Sequence, residues 1–331
     1  MDLKRILLYA GAGIVLIAAI VILALLFTPP KEEQPADSTF IGVCMGNLEA
    51  DQVYAQQVCD ALQAKGYTPR LLDAGNDQSE QNSQIKALAE EGCDGLIVSM
   101  VMTSTAQELT ELVKQLGIPT VLIGNAPDEG SLAGWDRICF VGCDLEQPGK
   151  LQADMIRNLP NNGDLNDDGI LSFLFLQDSP EKISTSLRTN SVLNTLSTAG
   201  IELNELARVP SCEDRDTAQR YTAKYLSEMG KDIELILCNS DEAALGAIAA
   251  VTDGGRQTGT DIYVFGIGGA KEAIQEISQG QMTATVMDHQ VQQAEMAAGV
   301  LDTLLSGGTA EKQYMIDHIA VSPENAKDYL D

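Results

Sequence analysis

Six times along this chain an amphipathic stretch stops at a glycine and the next segment begins at once: Lys65-Gly66-Tyr67, Glu91-Gly92-Cys93, Leu116-Gly117-Ile118, Ala199-Gly200-Ile201, Met229-Gly230-Lys231 and Gln279-Gly280-Gln281. Glycine just past a helix takes the left-handed cap that other residues resist, so this punctuation marks six helix-to-strand junctions. Apolar runs at Phe40–Val43, Leu96–Val98, Thr120–Ile123 and Ile138–Val141 are short enough for strands buried on both faces. Alternation of this kind predicts a doubly wound parallel α/β sheet with right-handed crossovers.

The pattern occurs twice, before and after Cys143-Asp144-Leu145, and the second set ends near Met287. A chain of 331 residues exceeds what one core usually serves, so two Rossmann-like lobes are expected. The formal charge of -27, from 48 acidic against 21 basic residues, excludes nucleic acid as the natural partner, because phosphates need a basic surface.

Lys4-Arg5 precede an apolar run from Ile6 to Phe27, whose 22 residues cover about 30 Å as a helix. Residues 1–28 therefore read as a transmembrane anchor with its N-terminus in the cytoplasm, and everything after Thr28 should be exported. A cleaved signal peptide is the competing reading. It usually has a shorter apolar region and a small-x-small cleavage site, and Phe27-Thr28-Pro29-Pro30 offers none. Residues 29–38, with Lys31-Glu32-Glu33-Gln34-Pro35, form a polar linker between membrane and folded domain.

One loop carries a metal signature. In Asp164-Leu165-Asn166-Asp167-Asp168-Gly169-Ile170-Leu171-Ser172, oxygen side chains fall at the first, third, fifth and ninth positions, and Gly169 permits the sharp turn. With the Ile170 carbonyl at the seventh position, this is the spacing by which a tight loop converges on a hard cation such as Ca²⁺. A helix-loop-helix calcium hand would end with Glu at position twelve. Here that position is Phe175, inside the strand-like run Leu171–Leu176, so the bidentate ligand must come from elsewhere. The competing reading is a solvated Asp/Asn/Gly turn.

A calcium loop feeding a strand, with its last carboxylate supplied at a distance, resembles the periplasmic galactose/glucose-binding proteins of sugar ABC transporters. The likeness runs from about Phe40 to the C-terminus. Its clearest other segments are Asn76–Ile85, Asp216-Thr217-Ala218-Gln219, Val264-Phe265-Gly266-Ile267 and Thr285-Val286-Met287-Asp288. It implies a type I periplasmic binding protein fold and points to Glu234, at the head of Ile233–Asp241, as the remote ligand. Ser172 stands where the family usually has Gln. The resemblance also implies three crossings between lobes, near Asp144, Asp288 and Lys312. The N-terminal lobe is then 39–144 plus 289–312, and the C-terminal lobe 145–288 plus 313–331.

In open α/β sheets ligands bind beyond the carboxyl ends of the strands. Asn47, Asn125, Lys182, Ser184, Arg188, Arg215, Ser240 and Asp288 fall there and are the candidate substrate contacts. Against the family pattern, Arg188 keeps the Arg, but Ser184 replaces an Asp, Lys182 a His and Arg215 the stacking Trp. The first-lobe Phe falls near Gln52 or Tyr54. Lys182, Arg188 and Arg215 together suggest an anionic sugar derivative. Alternatively, Lys182 and Arg215 lie on the rim and pair with Glu181, Glu213 or Asp214.

The resemblance implies a monomeric, extracytoplasmic substrate-binding protein that passes a small carbohydrate to an ABC permease, or reports it to a histidine kinase or chemoreceptor. An enzyme is not expected: the chain has two histidines, His289 and His318, and lacks GxSxG and GxGxxG. The seven cysteines are expected to be mostly free thiols, since Cys44 and Cys238 sit inside apolar strand-like runs.

Overall fold

The computed structural model describes residues 39–330 apart from Glu129. The expected anchor and linker, residues 1–38, lie outside the described residues. Among those described, no helix is long and apolar enough to cross a membrane.

The first sheet is built from β1 (Phe40–Met45), β2 (Thr68–Asp73), β3 (Gly95–Ser99), β4 (Thr120–Ile123), β5 (Ile138–Gly142) and β11 (Gln313–Met315), in the order β11-β5-β4-β3-β1-β2. All its pairings are parallel. The helices α1 (Leu48–Ala64), α2 (Gln78–Glu90), α3 (Ala106–Leu116) and α9 (Gln290–Leu305) accompany it. Strand alternation sorts β1 onto two cores: Ile41, Val43 and Met45 pack with Ala297 and Leu301 of α9, while Phe40 and Cys44 pack with Leu88 and Leu109 on the other face.

The second sheet repeats the plan with β6 (Ile170–Leu176), β7 (Glu202–Val209), β8 (Leu235–Cys238), β9 (Tyr263–Gly268), β10 (Ala284–Met287) and β12 (Ile319–Val321), in the order β12-β10-β9-β8-β6-β7. Its helices are α4 (Gln147–Arg157), α5 (Ile183–Thr198), α6 (Arg215–Met229), α7 (Asp241–Asp253) and α8 (Lys271–Ser278). Phe173, Phe175 and Phe265 fill the core against α4 and α5, where truncation to Ala would cost about 3–5 kcal/mol each. The six junction glycines all have positive φ, between 57° and 87°, although Gly230, with ψ -120°, lies outside the left-handed helical region.

The lobes are joined by three crossings. Two fall at Cys143–Asp144 and Asp288. The third does not fall at Lys312: Gln313–Met315 pairs with Phe140–Gly142 and so belongs to the first sheet, not the second lobe. The reason is the edge of β5, whose free backbone groups this short strand covers, with Phe140 N donating to Lys312 O and Ile316 N to Gly142 O. The chain crosses at Asp317-His318, and β12 then pairs antiparallel with β10.

Candidate functional site

Crossings leave directly from the carboxyl ends of β5 and β10, so those ends of both sheets meet at one cleft. Several polar atoms there are buried without a partner: Tyr54 Oη, Asp178 Oδ1, Arg188 Nε, Asn239 Nδ2, His289 Nε2 and His318 Nε2. A buried polar group left unpaired costs about 1–3 kcal/mol, so such a set is the signature of a surface meant to be completed by something else.

Helix packing holds Arg188. Gly149 of α4 lets the backbone of α5 approach so closely that a Cβ there would lie 2.3 Å from the Arg188 carbonyl oxygen. Arg188 reaches close enough to Cys143, Asp178 and His318 to favour deprotonation of the first two and disfavour protonation of the third. Burial raises the Asp178 carboxyl, opposed by a hydrogen bond from Ser240, and lowers His318. Asn239 Oδ1 accepts from Asp178 N at 3.3 Å and from Thr189 Oγ1 at 3.3 Å, which fixes its amide.

Two of the three expected cations are already neutralised. Lys182 Nζ lies 3.2 Å from Glu213 Oε2 on the exposed rim. Arg215 binds Glu242, at 2.5 and 3.1 Å, and Glu272, at 2.8 Å twice. Its partners are therefore the first turns of α7 and α8 rather than Glu181, Glu213 or Asp214. Asn47 caps α1 by accepting from Ala50 N at 3.2 Å, and Ser240 caps α7 while also touching Asp178. Asn125 is exposed at the end of β4, and Ser184 is half-buried in the first turn of α5.

Asp288 Oδ1 accepts from Gln293 Nε2 at 2.9 Å. Cys143, Asp288 and His318 present ligand-capable atoms that all lie within 4.8 Å of one another. Burial, reinforced by Asp288, pushes the Cys143 thiol up to about 12. All seven cysteines are free, six of them buried. Sequence reasoning missed Asp178, Cys143 and His318 as site residues. Asp178 could have been found, two positions past the apolar run ending at Leu176. His318 lies between strands of different sheets and carries no comparable sequence signal.

The loop before β6 turns on two left-handed residues, Asp167 at φ 59° and Gly169 at φ 86°. Asp164 Oδ2 accepts from Gly169 N, Asn166 Oδ1 from Asp168 N and Asp168 Oδ1 from Ile170 N, each at 2.8 Å, while Asp164 Oδ1 is buried without a partner. Glu234, 1% exposed, lies beneath the loop. Its Oε1 accepts from Leu165 N at 2.7 Å and Asn166 N at 3.0 Å, and its Oε2 from Ser172 N at 2.9 Å. Thus Glu234 meets the loop across 62 to 69 residues of sequence. Asp164, Asp168 and Glu234 do not form a group with ligand atoms all within 4.8 Å, because the Glu234 oxygens are turned to the backbone. The Ser172 hydroxyl accepts from Asn204 Nδ2 at 3.1 Å.

Two α/β lobes, three crossings and a polar cleft lined from both sides define a two-lobed solute-binding protein. The chain belongs to the periplasmic binding protein domain family, whose model matches residues 42–309. It is 28% identical over 273 residues to the D-galactose/methyl-galactoside binding periplasmic protein MglB of Haemophilus influenzae, covering 78% of this chain and 81% of that one. It is 25% identical over 248 residues to the ribose import binding protein RbsB of Bacillus subtilis, with 75% of each covered. Among solved structures, it superposes with a TM-score of 0.68 and 26% identity on an ABC transporter solute binding protein from Bacillus halodurans with bound myo-inositol, covering 89% of this chain and 99% of that one. These relatives are binding proteins, in keeping with a chain that is not an enzyme.

Proposed function

We propose that this protein is the extracytoplasmic substrate-binding component of a sugar ABC transporter, closing its two lobes around a small carbohydrate or cyclic polyol and presenting it to the permease. The observation that carries this reading is the set of buried, unpartnered donors and acceptors around Arg188, Asp178 and Asn239, which suits a ligand bearing several hydroxyls. Because Lys182 and Arg215 are neutralised by Glu213, Glu242 and Glu272, a neutral ligand is favoured over a sugar acid or phosphate. Arg188 supplies the bidentate donor.

The apolar run Ile6–Phe27 is proposed as the anchor that keeps the receptor at the membrane. Ca²⁺ is proposed as a structural ion held by Asp164, Asn166, Asp168, the Ile170 carbonyl, Ser172 and Glu234. The support is the orphaned, buried Asp164 Oδ1 and the two left-handed loop residues. Binding there would require Glu234 to turn toward the loop centre.

The test is calorimetry with D-galactose, ribose, myo-inositol, a uronic acid and a sugar phosphate in the presence of Ca²⁺. At least one neutral compound should bind, and Arg188→Met should weaken it at least about tenfold, the loss of a hydrogen bond from a charged group, without lowering Tm. Binding confined to the acid or the phosphate would overturn the neutral assignment. No binding by any compound would overturn the carbohydrate reading.

A further inference from the structure

Cys143, Asp288 and His318 come one from each of the three crossings between the lobes. Their ligand-capable atoms converge within 4.8 Å, although the residues are separated by 145 and 30 positions of sequence, the differences 288 − 143 and 318 − 288. Chain connectivity does not demand this, since each crossing needs only an extended backbone to pass between sheets.

The histidine is set up as a ligand. His318 is 5% exposed. Its Nδ1 lies 3.0 Å from Gln147 Oε1, which also accepts from His318 N at 2.7 Å. The Gln147 amide is oriented by its own Nε2, which donates to Asp317 Oδ1 at 2.8 Å, so Oε1 is an acceptor and Nδ1 must carry the proton. The lone pair is thereby left on Nε2, which is buried and without a partner. A second amide steadies the carboxylate: Gln293 Nε2 donates to Asp288 Oδ1 at 2.9 Å. Such outer partners are what orient metal ligands.

We propose that the hinge holds a divalent transition-metal ion of borderline softness, Zn²⁺ in the first instance, bound by Cys143 Sγ, His318 Nε2 and an Asp288 oxygen. One sulfur, one imidazole nitrogen and one carboxylate oxygen suit zinc, and three protein ligands leave a fourth tetrahedral position for water. This site is separate from the proposed calcium loop, whose donors are all oxygen. An ion joined to all three crossings ties them at one point and restrains the hinge on which the lobes open.

The test uses the full chain with Ca²⁺ in excess and no sugar, so its outcome is independent of the carbohydrate reading. Titration with Co²⁺, a spectroscopic stand-in for Zn²⁺, should give a thiolate-to-metal charge-transfer band saturating at one equivalent and displaced by Zn²⁺. Cys143→Ser should abolish the band, and His318→Gln should weaken Zn²⁺ at least about tenfold. Gln147→Ala, which removes no ligand, should weaken it about 10–100-fold. Zn²⁺ should also slow amide exchange at Asp144, His289 and His318. Absence of the band in the folded chain overturns the proposal, as does its survival in Cys143→Ser. If Cys143→Ser does not fold, unchanged Zn²⁺ affinity in both His318→Gln and Gln147→Ala overturns it equally.

Discussion

Glu234→Gln separates two roles that the calcium loop assigns to one side chain. The carboxylate accepts three backbone N–H groups, from Leu165, Asn166 and Ser172. A hydrogen bond to a charged group contributes about 1.5–3 kcal/mol. Leu165 is half-exposed and Asn166 exposed, so water recovers much of the loss there, whereas Ser172 is buried. Complete removal by Glu234→Ala should therefore cost about 3–5 kcal/mol, and the isosteric Gln, which keeps one acceptor but sets an N–H against a donor, about 2 kcal/mol. In a domain of this size the Ala change lowers Tm by something on the order of 10 °C. Calcium at a hundredfold excess over its Kd adds about 2.7 kcal/mol of its own.

Thermal melting of wild type and Glu234→Gln, each with Ca²⁺ and with chelator, gives four values. Wild type should fall by several degrees on chelation. The variant should start lower in chelator and respond little to Ca²⁺. A wild type indifferent to chelation would sink the metal claim while leaving the anchoring role intact. Equal melting of the two proteins in chelator would sink the anchoring account.

Three further outcomes follow from packing and charge. Gly149→Ala places a methyl against the Arg188 carbonyl and Val192 N, so α4 and α5 must part; it should cost about 1–3 kcal/mol in urea unfolding and weaken sugar binding, and unchanged binding would show that Arg188 is not positioned by this contact. Arg215→Ala breaks exposed ion pairs with Glu242 and Glu272; stability should change by no more than about 1 kcal/mol and binding of a neutral sugar not at all, so a large affinity loss would restore Arg215 to the cleft. Burial raises the Asp241 carboxyl, which also accepts from Thr285 and Ala270. Folding thus favours its protonated form, and the stability this confers is present below the unfolded value near 4 and lost as pH rises toward the raised folded value. Asp241→Asn should accordingly gain Tm relative to wild type as pH climbs from about 4, whereas a constant offset at every pH would refute the sign.

Much of the candidate site was open to strand-end reasoning because parallel α/β sheets place function beyond their carboxyl ends. Arg188 and Ser240 are candidates on that reasoning, and Tyr54 enters as one of two counterparts of the family's first-lobe aromatic. Lys182 pairs with Glu213, as the rim alternative has it, whereas Arg215 finds its partners beyond the local acids, for a plain reason. Whether a cation faces a ligand or a carboxylate depends on helix N-termini brought together by the sheet, and Glu242 and Glu272 lie 27 and 57 residues from Arg215. The third crossing was misplaced because a three-residue strand has too little pattern to reveal which sheet edge it will cover.

The sequence by itself determined the doubly wound lobes, through the glycine caps and the short apolar runs, because those are local demands of backbone conformation and burial. It also determined the local turn of the Asp164–Ser172 loop, whose left-handed positions and Asp164, Asn166 and Asp168 side-chain-to-backbone bonds lie within nine residues. Tertiary structure decided what meets what: Glu234, named by the family resemblance and by no local pattern, lies beneath the loop, Arg215 is held by two later helices, and Cys143, Asp288 and His318 gather at the hinge. Those contacts are set by the order of strands in two sheets and by where the chain crosses between them, and such long-range geometry leaves no periodicity in the residues that form it.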